Sequence, residues 1–130
     1  MLTLIRGLPG SGKSTYAMKH FPDTIHLEAD MFHVYENSYK YDITKVKSAH
    51  QLCQRICELV LHRGNDVVVS NVFTTYEEMK PYLDMAESYG VIVNIISLQT
   101  SYGTTHHIPK EVIEKMKIRW QDYNGEVVIK

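Results

Sequence analysis

Cysteine is scarce in this chain: only Cys53 and Cys57 are present, spaced four apart. That spacing fits neither a Cys-x-x-Cys redox pair nor a zinc knuckle. With no disulfide framework, a reducing compartment is expected, and the two thiols read as small hydrophobes on one buried helix face. Charge of one sign is lacking too. Fourteen Lys+Arg stand against fifteen Asp+Glu, a net charge of −1, which disfavours a strongly basic nucleic-acid binder. A local basic groove stays open, because net charge does not report distribution. Long apolar runs are missing: no stretch approaches the roughly 20 residues of a membrane span. The opening run from Met1 to Ile5 stops at Arg6, too short for a signal peptide. A cytosolic protein is expected. Repeats, linkers and low-complexity tracts are also absent. What remains is 130 residues, 44% hydrophobic, which argues for one domain around one core.

The periodicities divide that domain into alternating strands and helices. Leu2 to Arg6 is a short apolar strand running into a glycine loop. Lys13 to His20 reads as a helix closed by Pro22, and Ile25 to Glu28 as a second strand. Residues 31–42 show no clean period and read as an irregular surface excursion. Ile43, Val46, Ala49, Leu52, Cys53, Ile56, Leu59 and Val60 then recur at three and four, one helical face, with Thr44 as N-cap and Gly64 as stop. Asp66 to Ser70 holds the buried-strand signature Val67-Val68-Val69. Thr75 or Thr74 caps a helix to about Tyr89, with Glu78 fitting a capping box on Thr75. Val91 to Leu98 is the next strand, Gln99 to Pro109 a polar loop, and Lys110 to Asp122 a charged helix. Val127 to Ile129 fits either a last strand or a tail. Continuous apolar strands between helices predict an α/β three-layer sandwich: a mostly parallel sheet of four to five strands with helices on both faces. Ligands of such sheets bind at the C-terminal strand ends. The glycine loop, Asp30, Ser70-Asn71 and the Gln99 loop all fall there.

The glycine loop carries the chemistry. Gly7-Leu8-Pro9-Gly10-Ser11-Gly12-Lys13-Ser14 matches G-x-x-x-x-G-K-[ST] in full, with a strand before it and a helix after it. A phosphate chain needs several backbone N–H groups aimed inward, and glycines permit that curvature. The helix N-terminus adds free N–H groups and a favourable dipole. Leu8, Pro9, Gly10, Ser11 and Gly12 would wrap the phosphates, with Lys13 as the mobile cation for the β- and γ-phosphates. Ser14 is a Mg²⁺ ligand, and Thr15 is placed for an α-phosphate.

Asp30 follows the second strand. It suits a base for an attacking hydroxyl, a water-mediated Mg²⁺ contact, or a turn cap. The third strand ends in Ser70-Asn71 where a Walker B acid is usual. Asn71 fits either a phosphate- or water-orienting role or a polar strand end bonding local backbone. Without that acid, Asp30 or Glu28 is the candidate for the metal. The Gln99–Pro109 loop sits where a lid is expected, yet it holds no Arg or Lys. His106 and His107 read as plain loop histidines. Most cations of the last helix read as a solvated face, with Arg119 the one assigned to the nucleotide. His33, Tyr35 and Tyr39 fit either an acceptor pocket or a hydrophobic cover.

Taken together, Arg6 to Thr15, Glu28-Ala29-Asp30-Met31-Phe32, Val67 to Asn71, Glu78-Met79-Lys80-Pro81-Tyr82, Ile108-Pro109 and Met116 to Trp120 resemble the small P-loop kinase-like proteins related to phage polynucleotide kinase and zeta toxins. The resemblance covers nearly the whole chain. It implies ATP and Mg²⁺ held by Lys13 and Ser14, and Asp30 at the position of the catalytic base of polynucleotide kinase. The arginine that follows that base has no match here, His33 lying in its region. The lid arginine has none between Gln99 and Pro109. Two functions remain in view. One is a kinase acting on a hydroxyl acceptor, whether a nucleic-acid 5′-end, a nucleoside or a small molecule. The other is a nucleotide-binding switch with little turnover.

Overall fold

A computed structural model of the chain describes residues 1–32, 43–100 and 108–130, apart from the side chains of residues 32, 43 and 44. The His33, Tyr35 and Tyr39 pocket and the loop histidines His106 and His107 lie outside the described residues. Among the described residues, five strands form one sheet: β1 (Leu2–Arg6), β2 (Ile25–Leu27), β3 (Val67–Asn71), β4 (Val93–Leu98) and β5 (Val127–Ile129). The same described residues hold four helices: α1 (Lys13–His20), α2 (Ile43–His62), α3 (Tyr76–Tyr89) and α4 (Lys110–Arg119), with a short 3-10 turn at Ala29–Phe32. The strand order is β2-β3-β1-β4-β5. Every pairing is parallel, for example Leu4 with Val69 and with Ile95. Residues 127–129 are thus a strand, paired with Ile96 to Leu98.

Side chains alternate across a strand, and the core divides accordingly. Leu2, Leu4, Val67 and Val69 pack on one face against Cys53, Cys57, Met79, Tyr82 and Ala86 from α2 and α3. Ile5, Val68 and Leu98 pack on the other against Ala17 of α1. All of β1 and β3 is buried, as expected for central strands covered twice.

Several boundaries move for identifiable reasons. α2 already includes Ile43, so Thr44 lies inside the helix and is not its cap. Leu52 and Leu59 are exposed, while Cys57 and Leu61 are buried in their place. The three-and-four spacing admitted a stripe wider than the face that the sheet covers. Thr75 caps α3 with the reciprocal Glu78 box. β4 starts at Val93 because the Val91 N–H is spent on the Ala86 carbonyl at the end of α3. α4 stops at Arg119 because Trp120 turns to an extended ψ of 130°, and the Gln121 N–H reaches across to the Thr74 carbonyl.

Arg6 is a large charged side chain in the core, with no exposed surface. Its guanidinium donates to the carbonyls of Phe73 (2.7 and 2.9 Å), Thr74 (3.2 Å) and Gln121 (2.7 Å). It also pairs with Glu126 at 3.0 Å and lies 4.1 Å from the centre of the Trp120 ring. One residue of β1 thereby fastens the β3–α3 connection and the α4–β5 connection to the strand that delivers the glycine loop.

Candidate active site

β1 is flanked by β3 on one side and β4 on the other, while the chain goes next to the β2 edge. The strand order therefore reverses beside β1, which opens a crevice at the C-terminal ends of β1 and β3. The glycine loop fills it. Gly10 and Gly12 have φ of 85° and 86°, the left-handed region that side chains disfavour. Gly7 is needed for space, since a Cβ there would stand 2.3 Å from Ser11 Oγ and 2.9 Å from the Leu98 carbonyl. α1 begins at Lys13 behind Gly12, with no side-chain cap. Its first-turn N–H groups have no carbonyl one turn earlier in the helix and point at the crevice.

A cavity of about 330 Å³ opens over this loop. Pro9, Gly10, Gly12, Lys13, Ser14 and Thr15 line one side. Glu28, Ala29, Asp30, Ser70 and Asn71 line another, and Val46 and His50 of α2 a third. Ile108 and Met116 complete the wall. The sequence-derived residues Lys13, Ser14, Thr15, Asp30 and Asn71 are thus brought together. Ser11 and Leu8 serve the loop itself: the Ser11 N–H donates to the Leu8 carbonyl at 3.1 Å, and the Ser11 carbonyl accepts from Thr100 at 2.8 Å. Arg119 is not in the cavity lining; its Nε donates to Thr74 Oγ1 at 3.0 Å, at the start of α3.

Lys13 Nζ donates to the carbonyls of Gly7 (2.9 Å) and Leu8 (3.3 Å). Burial lowers its pKa to about 8, with Glu28 and Asp30 pulling it back up. A phosphate anion would replace the two carbonyls as partner.

Glu28 is bonded to Ser14 Oγ, accepts from Ser70 Oγ at 2.9 Å and lies 3.2 Å from His26 Nε2. Burial works against its charge, yet the bonds from His26, Ser14 and Ser70 outweigh it and hold the carboxyl below its usual range. The carboxylate facing Ser14 therefore comes from the end of β2, and β3 contributes the hydroxyl that holds it. Asn71 Oδ1 accepts from the Ala29 N–H at 2.9 Å, and its Nδ2 lies 4.0 Å from Cys53 Sγ. Its side chain is engaged in fixing the turn that carries Glu28 and Asp30. That geometry favours the backbone-satisfying role over direct phosphate contact. Asp30 itself is exposed at the cavity mouth, on the 3-10 turn.

Sequence reasoning missed His50. A signal was present: it lies four residues after Val46 and three before Cys53, on the border of the α2 apolar face. Its polar ring extends that face to the rim. Glu28 was weighed only as a substitute acid. No residue spacing announces its contact with Ser14, because β2 and α1 meet through the sheet.

Three comparisons bear on this arrangement. A family model described as an AAA domain matches residues 2–117. An uncharacterized protein of Pasteurella multocida is 28% identical over 93% of this chain and 76% of its own length. Human NEDD4-binding protein 2 is 30% identical over 99% of this chain, which spans only 8% of that protein. Solved structures of kinases share the fold. One is a sugar kinase from Janibacter sp. HTCC2649, at a TM-score of 0.68 and 16% identity, covering 98% of this chain and 82% of that one.

Proposed function

The chain belongs to the AAA-domain family, and on that premise we propose that it is a Mg·ATP-dependent phosphotransferase acting on a hydroxyl acceptor. The observation that carries this is the meeting of Lys13, Ser14, Glu28 and Asp30 in one cavity at the sheet rim. The loop amides and Lys13 hold the β- and γ-phosphates, and Thr15 the α-phosphate. The donor set suits a hard divalent cation: a hydroxyl oxygen with a deprotonated carboxylate bonded to it. With its single proton directed at Glu28, the Ser14 hydroxyl turns its lone pairs to the cavity. Bound there, Mg²⁺ would neutralise charge on the phosphates. Asp30 takes the proton of the acceptor hydroxyl. The acceptor oxygen attacks the γ-phosphorus, and the β–γ bridging oxygen leaves on ADP. Val46 and His50 form the wall facing the loop and bound the space for the acceptor. The kinship with phage polynucleotide kinase and zeta toxins belongs to this reading, as does a nucleic-acid 5′-end among the acceptors. Incubation with γ-labelled ATP and a panel of polynucleotide, nucleoside and sugar acceptors tests it. Label appearing on an acceptor supports transfer, whereas tight Mg·ATP binding with no transfer to any of them identifies a binding module instead.

Lys13 gives this reading a pH signature. In the free protein its pKa is about 8, and bound phosphate anions raise it. Binding therefore takes up a proton at pH values above the free pKa. Nucleotide affinity should be flat from neutrality to just below pH 8, then fall by up to about tenfold per pH unit as pH rises further. The second ionisation of phosphate, near pH 6, is complete in that range and does not contribute. Calorimetric titrations in buffers of different ionisation enthalpy read the proton uptake directly. A flat affinity up to pH 9.5 would show that the free Lys13 ammonium is not held below its ordinary range.

A further inference from the structure

We infer that His26 is a positioning residue that sets the Mg²⁺ requirement of nucleotide binding by clamping Glu28 onto Ser14. This rests on the functional reading above and extends it to a residue that touches neither nucleotide nor cation.

Three donors meet on a single carboxylate oxygen, Glu28 Oε1: the hydroxyls of Ser14 and Ser70, and His26 Nε2. His26 also lies 2.6 Å from Ser70 Oγ. A serine has one proton to give, and Ser70 gives it to Glu28. With that proton directed at Glu28, the short contact between Ser70 and His26 fits the imidazole tautomer that carries a proton on Nε2, directed toward the hydroxyl and the carboxylate together. The side chains of His26 and Glu28 are only 15% and 17% exposed, so water does not readily substitute. The clamp is cross-strand by construction: β2 and β3 are parallel, His26 faces Val68 and Leu27 faces Val69. Ser70 at the next position on β3 comes alongside Glu28, which leaves β2 at that level.

The consequence follows from the hydroxyl at the far end. Glu28 accepts the Ser14 proton and so fixes the hydroxyl with its two lone pairs turned to the cavity, ready for a cation. Without the clamp, the carboxylate is free to rotate away from Ser14 and release the hydroxyl it orients. Partners in the shell behind a metal ligand typically change metal affinity by 10- to 100-fold, and His26 stands behind Glu28 in turn, so about tenfold is expected.

The test uses the full chain, ATP, and MgCl₂ as the probe, with binding followed by titration calorimetry and no reliance on turnover. His26→Ala should raise the Mg²⁺ concentration for half-maximal enhancement of ATP binding by about tenfold. Metal-free ATP binding, which rests on Lys13 and the loop amides, should stay unchanged. His26→Gln, whose amide nitrogen can donate from nearly the same place as Nε2, should restore most of the wild-type Mg²⁺ dependence. An unchanged Mg²⁺ dependence in His26→Ala overturns the inference. So does an equal loss of ATP binding with and without Mg²⁺, or a failure of His26→Gln to restore it. If the wild-type protein itself binds ATP without regard to Mg²⁺, the functional reading fails first, and that outcome is recognisable before any variant is made.

Discussion

Replacing Asp30 by Asn should lower phosphoryl transfer about 10³-fold while leaving ATP affinity within about twofold of wild type. General-base assistance by a positioned carboxylate contributes roughly 10²- to 10⁴-fold, and the amide keeps the shape while losing the basic oxygen. Asp30 is exposed at the cavity mouth and carries no packing load, so the fold should be untouched. One side effect sets the conditions of measurement. The Asp30 charge helps hold up the Lys13 pKa of about 8, and its removal lowers that value. The comparison should therefore be made well below pH 8, where Lys13 stays charged in both proteins. Label transfer from γ-labelled ATP gives the rate, and equilibrium titration gives the affinity. Transfer at the wild-type rate would remove Asp30 from the chemistry. A parallel fall in affinity would make it a nucleotide ligand instead of a base.

The second large effect concerns stability. Arg6→Met should destabilise the protein by about 3–5 kcal/mol, the usual cost of stranding one partner of a buried ion pair. Glu126, only 3% exposed in its side chain, would lose its cation. The carbonyls of Phe73, Thr74 and Gln121 would each lose a donor. Native domains are stable by only about 5–15 kcal/mol, so much of the margin is at stake. Glu126→Gln should cost less, because the amide oxygen still accepts from Arg6. Urea unfolding of the two single variants and the double variant measures this. The expected pattern is strong non-additivity, with the double variant recovering part of the Arg6→Met loss. A loss below about 1 kcal/mol for Arg6→Met would show that water or rearrangement satisfies the three carbonyls.

How much of this was legible beforehand depended on whether the signal is local. The glycine loop, the Thr75–Glu78 cap and the burial of Val67 to Val69 are written in neighbouring residues, and each appears where the spacing places it. The parallel sheet follows from their alternation. Contacts that join residues far apart in the chain left no such mark. Arg6 reads as a polar residue ending an apolar run, yet it reaches residues 67 to 120 positions away. Glu28 reads as one more strand-end carboxylate until the sheet brings Ser14 and Ser70 to it. Asn71 stood at the position of a metal-facing acid. Its side chain instead ties β3 to Ala29, and the carboxylate next to Ser14 is supplied by β2. The exposed Leu52 and Leu59 show the converse limit: periodicity marks a helical face without fixing how much of it the sheet covers.

The central claim is that this rim cavity holds the phosphates of Mg·ATP through Lys13 and the loop it belongs to. Calorimetric titration of Mg·ATP into the wild-type protein and into Lys13→Ala at neutral pH addresses it most directly. Hydrogen bonds to charged groups contribute about 1.5–3 kcal/mol, so the variant should bind roughly ten- to hundredfold more weakly while remaining folded at the temperature of the titration. Equal affinity in the two proteins would contradict the account.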